Sequence, residues 1–316
     1  MVVSVVQKVI TFALNQVMVI STSPEVLGQA AVQLELLLST LLFLSREGIR
    51  LAVLRQPVGT KATFQSIVNI SWLPPLIVLL FIGLITITKE RFVPNQDFKV
   101  VYMYSGAAFI ECLGEPLYNM FQNAANIKPR LTAETTAIFI KSVVTVLCVA
   151  HWNLGVQGFG IAQLAYSSTY IAVLFYHYVS AIGNKTATFT GSPLRVSDFL
   201  PGQIVSSGDK RNGTSVFSSM FGSGVVSMAA TLTGSSLLKH LLTESDKIAL
   251  TLSASSYDQG IYAVTNNYGS LAARVIYLPL EDSSRLAFAR LTGDYKASAM
   301  ALQKVAFSPA ASSTSS

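Results

Sequence analysis

The sequence is short of charge. Only 12% of its 316 residues are Asp, Glu, Lys or Arg, while 51% are hydrophobic and the mean hydropathy is +0.50. A soluble domain carries about 25% charged residues. The shortage excludes an ordinary water-soluble globule and a solvated disordered chain, and leaves an integral membrane protein. Cysteine is scarce as well: Cys112 and Cys148 both lie in apolar runs, so neither a disulfide framework nor a thiolate metal site is expected. The three histidines, His151, His177 and His240, stand far apart without metal-ligand spacing. There is no phosphate-cradling G-x-x-x-x-G-K-[ST] loop, no G-x-S-x-G elbow and no Asp-x-Asp pair. The expectation is therefore a non-enzyme with no cofactor and no metal. The excess of basic residues, +6, is dispersed among apolar spans, which argues against nucleic acid. It reads first as a topology signal and second as a hint of an anionic ligand.

Long apolar runs fill the chain. Eight spans are expected, at about 2–20, 26–45, 66–88, 100–121, 134–150, 158–181, 225–242 and 258–278. The fold class is thus all-α, a polytopic transmembrane helical bundle. The first span opens inside an apolar run, without the layout of a cleavable signal peptide. Four units are expected: a six-helix bundle over 1–181, a flexible Gly/Ser/Thr-rich cytosolic linker over 182–224, two further helices over 225–290, and a low-complexity tail over 291–316. Gly106, Gly114, Gly158 and Gly160 are candidate close-packing points.

Loop charge sets an expected orientation. Arg46, Arg50, Arg55 and Lys61 follow the second span, Lys128 and Arg130 the fourth, and Lys185, Arg195, Lys210 and Arg211 the sixth. The alternate loops carry fewer cations, apart from Lys89, Arg91 and Lys99, which Glu90 and Asp97 offset. Positive residues stay inside, so the N-terminus and these three loops are expected in the cytosol. The acceptor patterns at Asn184 and Asn212 then face the cytosol and stay bare.

Several ionisable side chains lie within spans: Lys8, Glu35, Glu111, Glu115 and Lys141. Counting residues from the turns puts Lys8 level with Glu35, and Glu115 level with Lys141, so each couple is expected to be adjacent. Glu111 and Glu115, four apart, share a helix face. Two readings stand side by side: the charges neutralise one another inside the bundle, or they line a hydrophilic cavity. The stretch from Tyr257 to Arg285 is unusual for a span. At about 100° per residue, Asp258, Tyr262, Thr265, Asn266 and Gly269 share one face, with Asn267, Ser270 and Arg274 beside it. Ile261, Val264, Tyr268, Leu271 and Val275 lie opposite. Such a polar wall is expected to face a bundle interior or a wet cavity.

FLSREGIRLA (Phe43–Ala52), ECLGEPLYNMFQ (Glu111–Gln122), the run from Arg130 through AETTAIFIKSVVTVL to HWNLG, and LLTESDK (Leu241–Lys247) followed by YDQGIYAVTNNYGSLAARVIYLPLEDSSR occur in this order. Together they resemble the eukaryotic Rft oligosaccharide-translocation family, of the multidrug/oligosaccharidyl-lipid/polysaccharide exporter superfamily, from about Thr11 to Arg290. The resemblance implies a multi-pass protein of the endoplasmic-reticulum membrane, in the N-glycosylation pathway. It implies flipping of a dolichol-diphosphate oligosaccharide, five mannoses on two N-acetylglucosamines, from the cytosolic to the lumenal leaflet. The expected partners are that lipid, membrane lipid and proteins of the glycosylation pathway. The superfamily has about fourteen helices in two bundles. This chain holds the first bundle and the start of the second, and leaves the pattern after its eighth helix.

The resemblance also implies roles for residues. Arg46 and Arg50 would meet the diphosphate, with simple anchoring at the membrane edge as the alternative. Asp258, Asn266, Asn267 and Arg274 would hydrogen-bond sugar or line its path, with interhelical bonding as the alternative. Glu244 and Lys247 would form a structural pair. The rival functions are a multidrug-type antiporter of the same fold, with Glu111 and Glu115 as its coupling site, and a non-transporting scaffold of the glycosylation machinery. A multispan glycosyltransferase ranks last, for want of an acidic catalytic motif.

Overall fold

The computed structural model describes residues 14, 16–56, 61–92, 98–124, 126–183, 199–202 and 224–272. Among them the regular structure is helical, with no strand. After a turn at Ser21–Ser23, with Ser23 as N-cap and Pro24 in the first turn, a continuous helix α1 runs over Pro24–Leu54. It contains two wider π turns, Gln29–Leu34 and Phe43–Glu47. Next come α2 (Lys61–Ile70) and α3 (Leu73–Phe92). Helix α4 (Phe98–Leu113) ends at Gly114, where Pro116 starts α5 (Glu115–Asn123). Then follow α6 (Lys128–His151), α7 (Val156–Gly183), α8 (Val225–Ser253) and α9 (Ser256–Ala272). Among the described residues, five helices are long and apolar enough to cross a bilayer: α1, Phe64–Thr88, α6, Val156–Ile182 and α8.

The distribution of polarity explains the architecture. Leu76, Leu79, Leu80, Leu84 and Ile87 form an open apolar stripe along α3, with Leu80 75% and Ile87 82% exposed. Water does not tolerate such a stripe, and acyl chains do. The interior, by contrast, holds Ser45, Asn69, Ser105, Glu111, Glu115, Asn119, Gln163 and Ser167 in buried positions. The fold is that of an all-α polytopic membrane protein: apolar rim, partly polar inside.

The chain divides into two compact units, Met1–Gly260 and Ile261–Ser316. In the first unit, α7 packs lengthwise on α6 and α4, and α1 packs on α4 and α8. A tight turn joins α6 to α7, with Asn153 and Gly155 at positive φ, 49° and 54°. One apolar core gathers Val68, Leu117, Met120, Phe121, Tyr170 and Leu174. A second joins Ile49, Ala52 and Val53 of α1 to Ile67, Ile70, Val225 and Ala229. Close approach of α8 to α1 rests on Gly48, where an added Cβ would meet Thr233 Oγ1 and the Ala229 carbonyl. Gly28 and Gly260 likewise let two backbones touch, because a Cβ on Gly260 would strike the Pro24 carbonyl. Of the second unit, 261–316, the described part 261–272 is the continuation of α9.

The structure corrects several expectations. The second span does not end near residue 45: the helix continues to Leu54, so Arg46 and Arg50 are helical residues, not loop residues. Its apolar face persists through Ile49, Ala52 and Val53, which packing on α2 and α8 rewards. The seventh span runs to Ser253 rather than 242, since Glu244 and Lys247 satisfy each other within the helix at 2.9 Å. Residues 199–202, inside the expected flexible linker, are held. Trp72 Nε1 donates to the Phe199 carbonyl at 3.0 Å, and Asn69 both donates to the Gly202 carbonyl (2.7 Å) and accepts from its N–H (2.9 Å). Gly158 and Gly160 are close-packing points, with Cβ contacts of 2.9 Å to Val149 and 2.7 Å to Met103, whereas Gly106 has open space beside it.

Candidate functional site

The second π turn of α1 aims Arg46 and Arg50 at the break between α4 and α5. A π turn adds a residue to the helical register and is common at functional positions. Across the gap, Gly114 and Pro116 interrupt the helix between Glu111 and Glu115. Arg46 Nη1 donates to Glu111 Oε1 at 2.7 Å and to Glu115 Oε1 at 3.4 Å. Arg50 grips Glu115 with both prongs, Nε to Oε2 at 2.9 Å and Nη2 to Oε1 at 2.5 Å. This forked arrangement is the strong form of a charge-assisted bond. The Arg50 guanidinium also lies 3.7 Å from the centroid of the Tyr118 ring, and Arg130 lies 5.1 Å from the same ring. Arg130 in turn donates to Glu134 at 2.8 Å, one helical turn away. Ser45 and Cys112 meet at 3.6 Å beside the cluster.

The four central groups sum to zero charge, yet they are not equally placed. The carboxylates are sealed, Glu111 at 6% and Glu115 at 0% side-chain exposure; the arginines, at 17% and 15%, hold the more open side. Arg46 bonds through Nη1 alone among the described residues, so its Nε–H and Nη2 donors are unspent. Chemically the arrangement is a pair of planar cation forks suited to oxyanions, backed by their own counter-ions.

A second, looser pair is more exposed. Lys141 Nζ lies 4.0 Å from Glu35 Oε2, with 32% and 41% of the side chains exposed, and 5.9 Å from the Tyr166 ring centroid. The expected Glu115–Lys141 couple is thus replaced. The extended α1 delivers arginines to Glu115 and leaves Lys141 beside Glu35. Lys8 lies outside the described residues, as does Arg274.

On α9 the structure places the predicted residues differently. Asp258 closes a local cap: the Ser255 hydroxyl donates to its Oδ2 at 2.6 Å, and its own N–H donates to Ser255 Oγ at 3.2 Å. Asn266 is exposed and Asn267 half-buried. The interior residue of this helix is one that helical-wheel logic passes over. Gln259 is buried, accepts from Gln33 Nε2 at 2.9 Å and donates to the Leu250 and Ala254 carbonyls. Tyr118 and Arg130 escape sequence reasoning too. The i,i+4 spacing of Arg130 and Glu134 is the available signal for one of them, and Tyr118 has none. Among the described residues no three His, Cys, Asp or Glu side chains gather as metal ligands.

Comparison with known proteins supplies a family. The model of the family described as Rft protein matches residues 1–307. A protein of Dictyostelium discoideum, named Man(5)GlcNAc(2)-PP-dolichol translocation protein RFT1, is 28% identical over 91% of this chain and 53% of its own. Proteins of the same name from Schizosaccharomyces pombe (30% identical, 90% of this chain and 54% of its own) and Mus musculus (29%, 90% and 52%) are similar as well. The chain spans about half the length of the curated relatives it matches. No solved structure matches it.

Proposed function

This chain belongs to the Rft protein family, and from that premise we propose that it acts in moving Man5GlcNAc2-diphosphate-dolichol across the endoplasmic-reticulum membrane, from the cytosolic to the lumenal leaflet, for protein N-glycosylation. The observation that supports the reading is the pair Arg46 and Arg50, mostly buried but more exposed than the carboxylates they bind, within a bundle that has an apolar rim and a partly polar interior. Two guanidinium forks match two phosphates of a lipid-linked diphosphate in geometry and charge. The sugars need replacement partners for water as they pass, since each stranded hydroxyl costs roughly 1–3 kcal/mol. Asn266, Asn267, Asp258 and Arg274 are the proposed polar wall for them.

In the proposed topology the N-terminus and the 182–224 segment are cytosolic, and the bundle over 1–181 precedes the helices of 225–290. Protease added to sealed microsomes then cuts within 182–224, and Asn184 and Asn212 stay unglycosylated; a protected or glycosylated segment inverts the orientation.

The functional test uses cells lacking their own family member and supplied with this chain, both by itself and in place of the matching stretch of a full-length relative. Rescue of N-glycosylation, and its loss at normal abundance in Arg46→Gln/Arg50→Gln, is the expected result. One observation favours the scaffold reading: the internal neutralisation of both arginines, which a purely structural cluster also requires. If the double variant glycosylates normally, the scaffold reading replaces this one.

A further inference from the structure

Resting on that reading, we infer that Glu115 is an internal stand-in for a phosphate: an arriving diphosphate diester takes the Arg50 fork from it, and Glu115 takes up a proton from solvent as it is displaced.

The two arginines differ in occupancy. Both prongs of Arg50 are filled by Glu115 in the bidentate manner that a phosphate would use. Arg46 differs. It spends one nitrogen on Glu111 and Glu115 and has Nε–H and Nη2 donors to offer without releasing either carboxylate. An anion coming from the open side therefore lands first on Arg46, and can engage Arg50 fully only by exchange with Glu115. Arg50 need not travel for this, because its guanidinium plane rests 3.7 Å from the Tyr118 ring centroid, a contact that an incoming phosphate leaves intact.

Exchange strands Glu115. It has no solvent-exposed side-chain surface to fall back on. An ionised carboxylate sealed from water that loses its bidentate partner, and keeps only the 3.4 Å contact to Arg46 Nη1, is neutralised by binding a proton. The groups facing it from each packed element do not supply a replacement. On α1 they are Arg50, whose fork is claimed, and Arg46, whose Nη1 is shared with Glu111 at the shorter 2.7 Å. On α4 they are Glu111 and Cys112, on α5 Tyr118, and on α7 Tyr170, none of them a cation. On α6, Arg130 is already paired with Glu134. Residues 64–70 of α2 bring amides and hydroxyls, with no charged side chain. The charge count agrees in direction: two negative charges enter a neutral cluster, and one proton at Glu115 removes half of the excess.

The sign of the pH dependence follows. The complex holds one more proton than the separate components, so affinity falls as pH rises, by about tenfold per pH unit for one proton. The test is calorimetric titration of the full chain in nanodiscs. The probe is a short-prenyl diphosphate N-acetylglucosamine, a diester whose phosphates stay ionised between about pH 6 and 8. Two buffers of different ionisation heat give the proton count. The expected result is uptake of about one proton per ligand in the wild type, and no uptake with pH-independent affinity in Glu115→Gln. At about pH 8 the variant should bind at least tenfold more tightly, because an amide does not compete for the fork. Wild-type binding without proton uptake overturns the inference and leaves the proposed function standing. Uptake that persists in Glu115→Gln but vanishes in Glu111→Gln overturns the assignment to Glu115. Absence of any binding sinks the diphosphate reading itself.

Discussion

Arg50 and Lys141 are both cations carried into the bundle by apolar helices, and they are held in opposite ways. Arg50 has two short bonds to one carboxylate and a ring beneath its plane. Lys141 has a single carboxylate at 4.0 Å, and both members of that pair are about one-third exposed or more. The difference follows from water. Glu115 has none, and the desolvation penalty of several kcal/mol per ion is recovered only by good geometry and additional hydrogen bonds. Glu35 and Lys141 retain part of their own solvation surface, so approximate geometry suffices. Tight geometry in a membrane bundle marks where a charge is sealed, not where charge is most needed.

The largest effect should come from breaking the sealed side. Glu115→Leu leaves two guanidinium groups short of counter-charge and should cost about 3–5 kcal/mol, read as a lowered midpoint of thermal unfolding in detergent. Arg50→Leu in the same chain should restore most of that loss. A Glu115→Leu single variant as stable as wild type would erase the contrast between the two pairs. Arg50→Lys keeps the charge and discards the fork, and should cost about 1.5–3 kcal/mol in the same assay. Tyr118→Leu retains an apolar body but removes the ring face, and about 1–2 kcal/mol is expected. The smallest change belongs to the open pair: Lys141→Met should alter stability by less than about 1 kcal/mol. A loss at Lys141 equal to that at Glu115 would erase the difference between the sealed and the open pair.

The contrast also shows what could be read in advance. The closeness of Glu111 and Glu115, which both meet Arg46 although the helix breaks at Gly114 between them, and the placing of charges inside spans follow from residue spacing and hydropathy. The pairing does not follow, because counting from loops assumes that α1 stops where its charged residues begin. Ile49, Ala52 and Val53 keep the helix going for about another two turns, and this moves Arg46 and Arg50 from the membrane edge into the bundle. Gln259 escapes for a related reason. Helical-wheel logic ranks faces by polarity, but here the interior position belongs to an amide that ties three helices together.

From its sequence alone the protein had to be a helical membrane bundle. Its long continuous apolar runs, unlike the alternating pattern of barrel strands, leave the helix as the way to satisfy the backbone in lipid. The family was equally legible, since its motifs are contiguous strings. Which carboxylate neutralises which cation was left to the tertiary structure. Pairing depends on helix register, on a π turn that rotates Arg46, and on a glycine–proline break that sets Glu115 against Arg50. Those are contacts between residues 65 positions apart, and no local pattern encodes them.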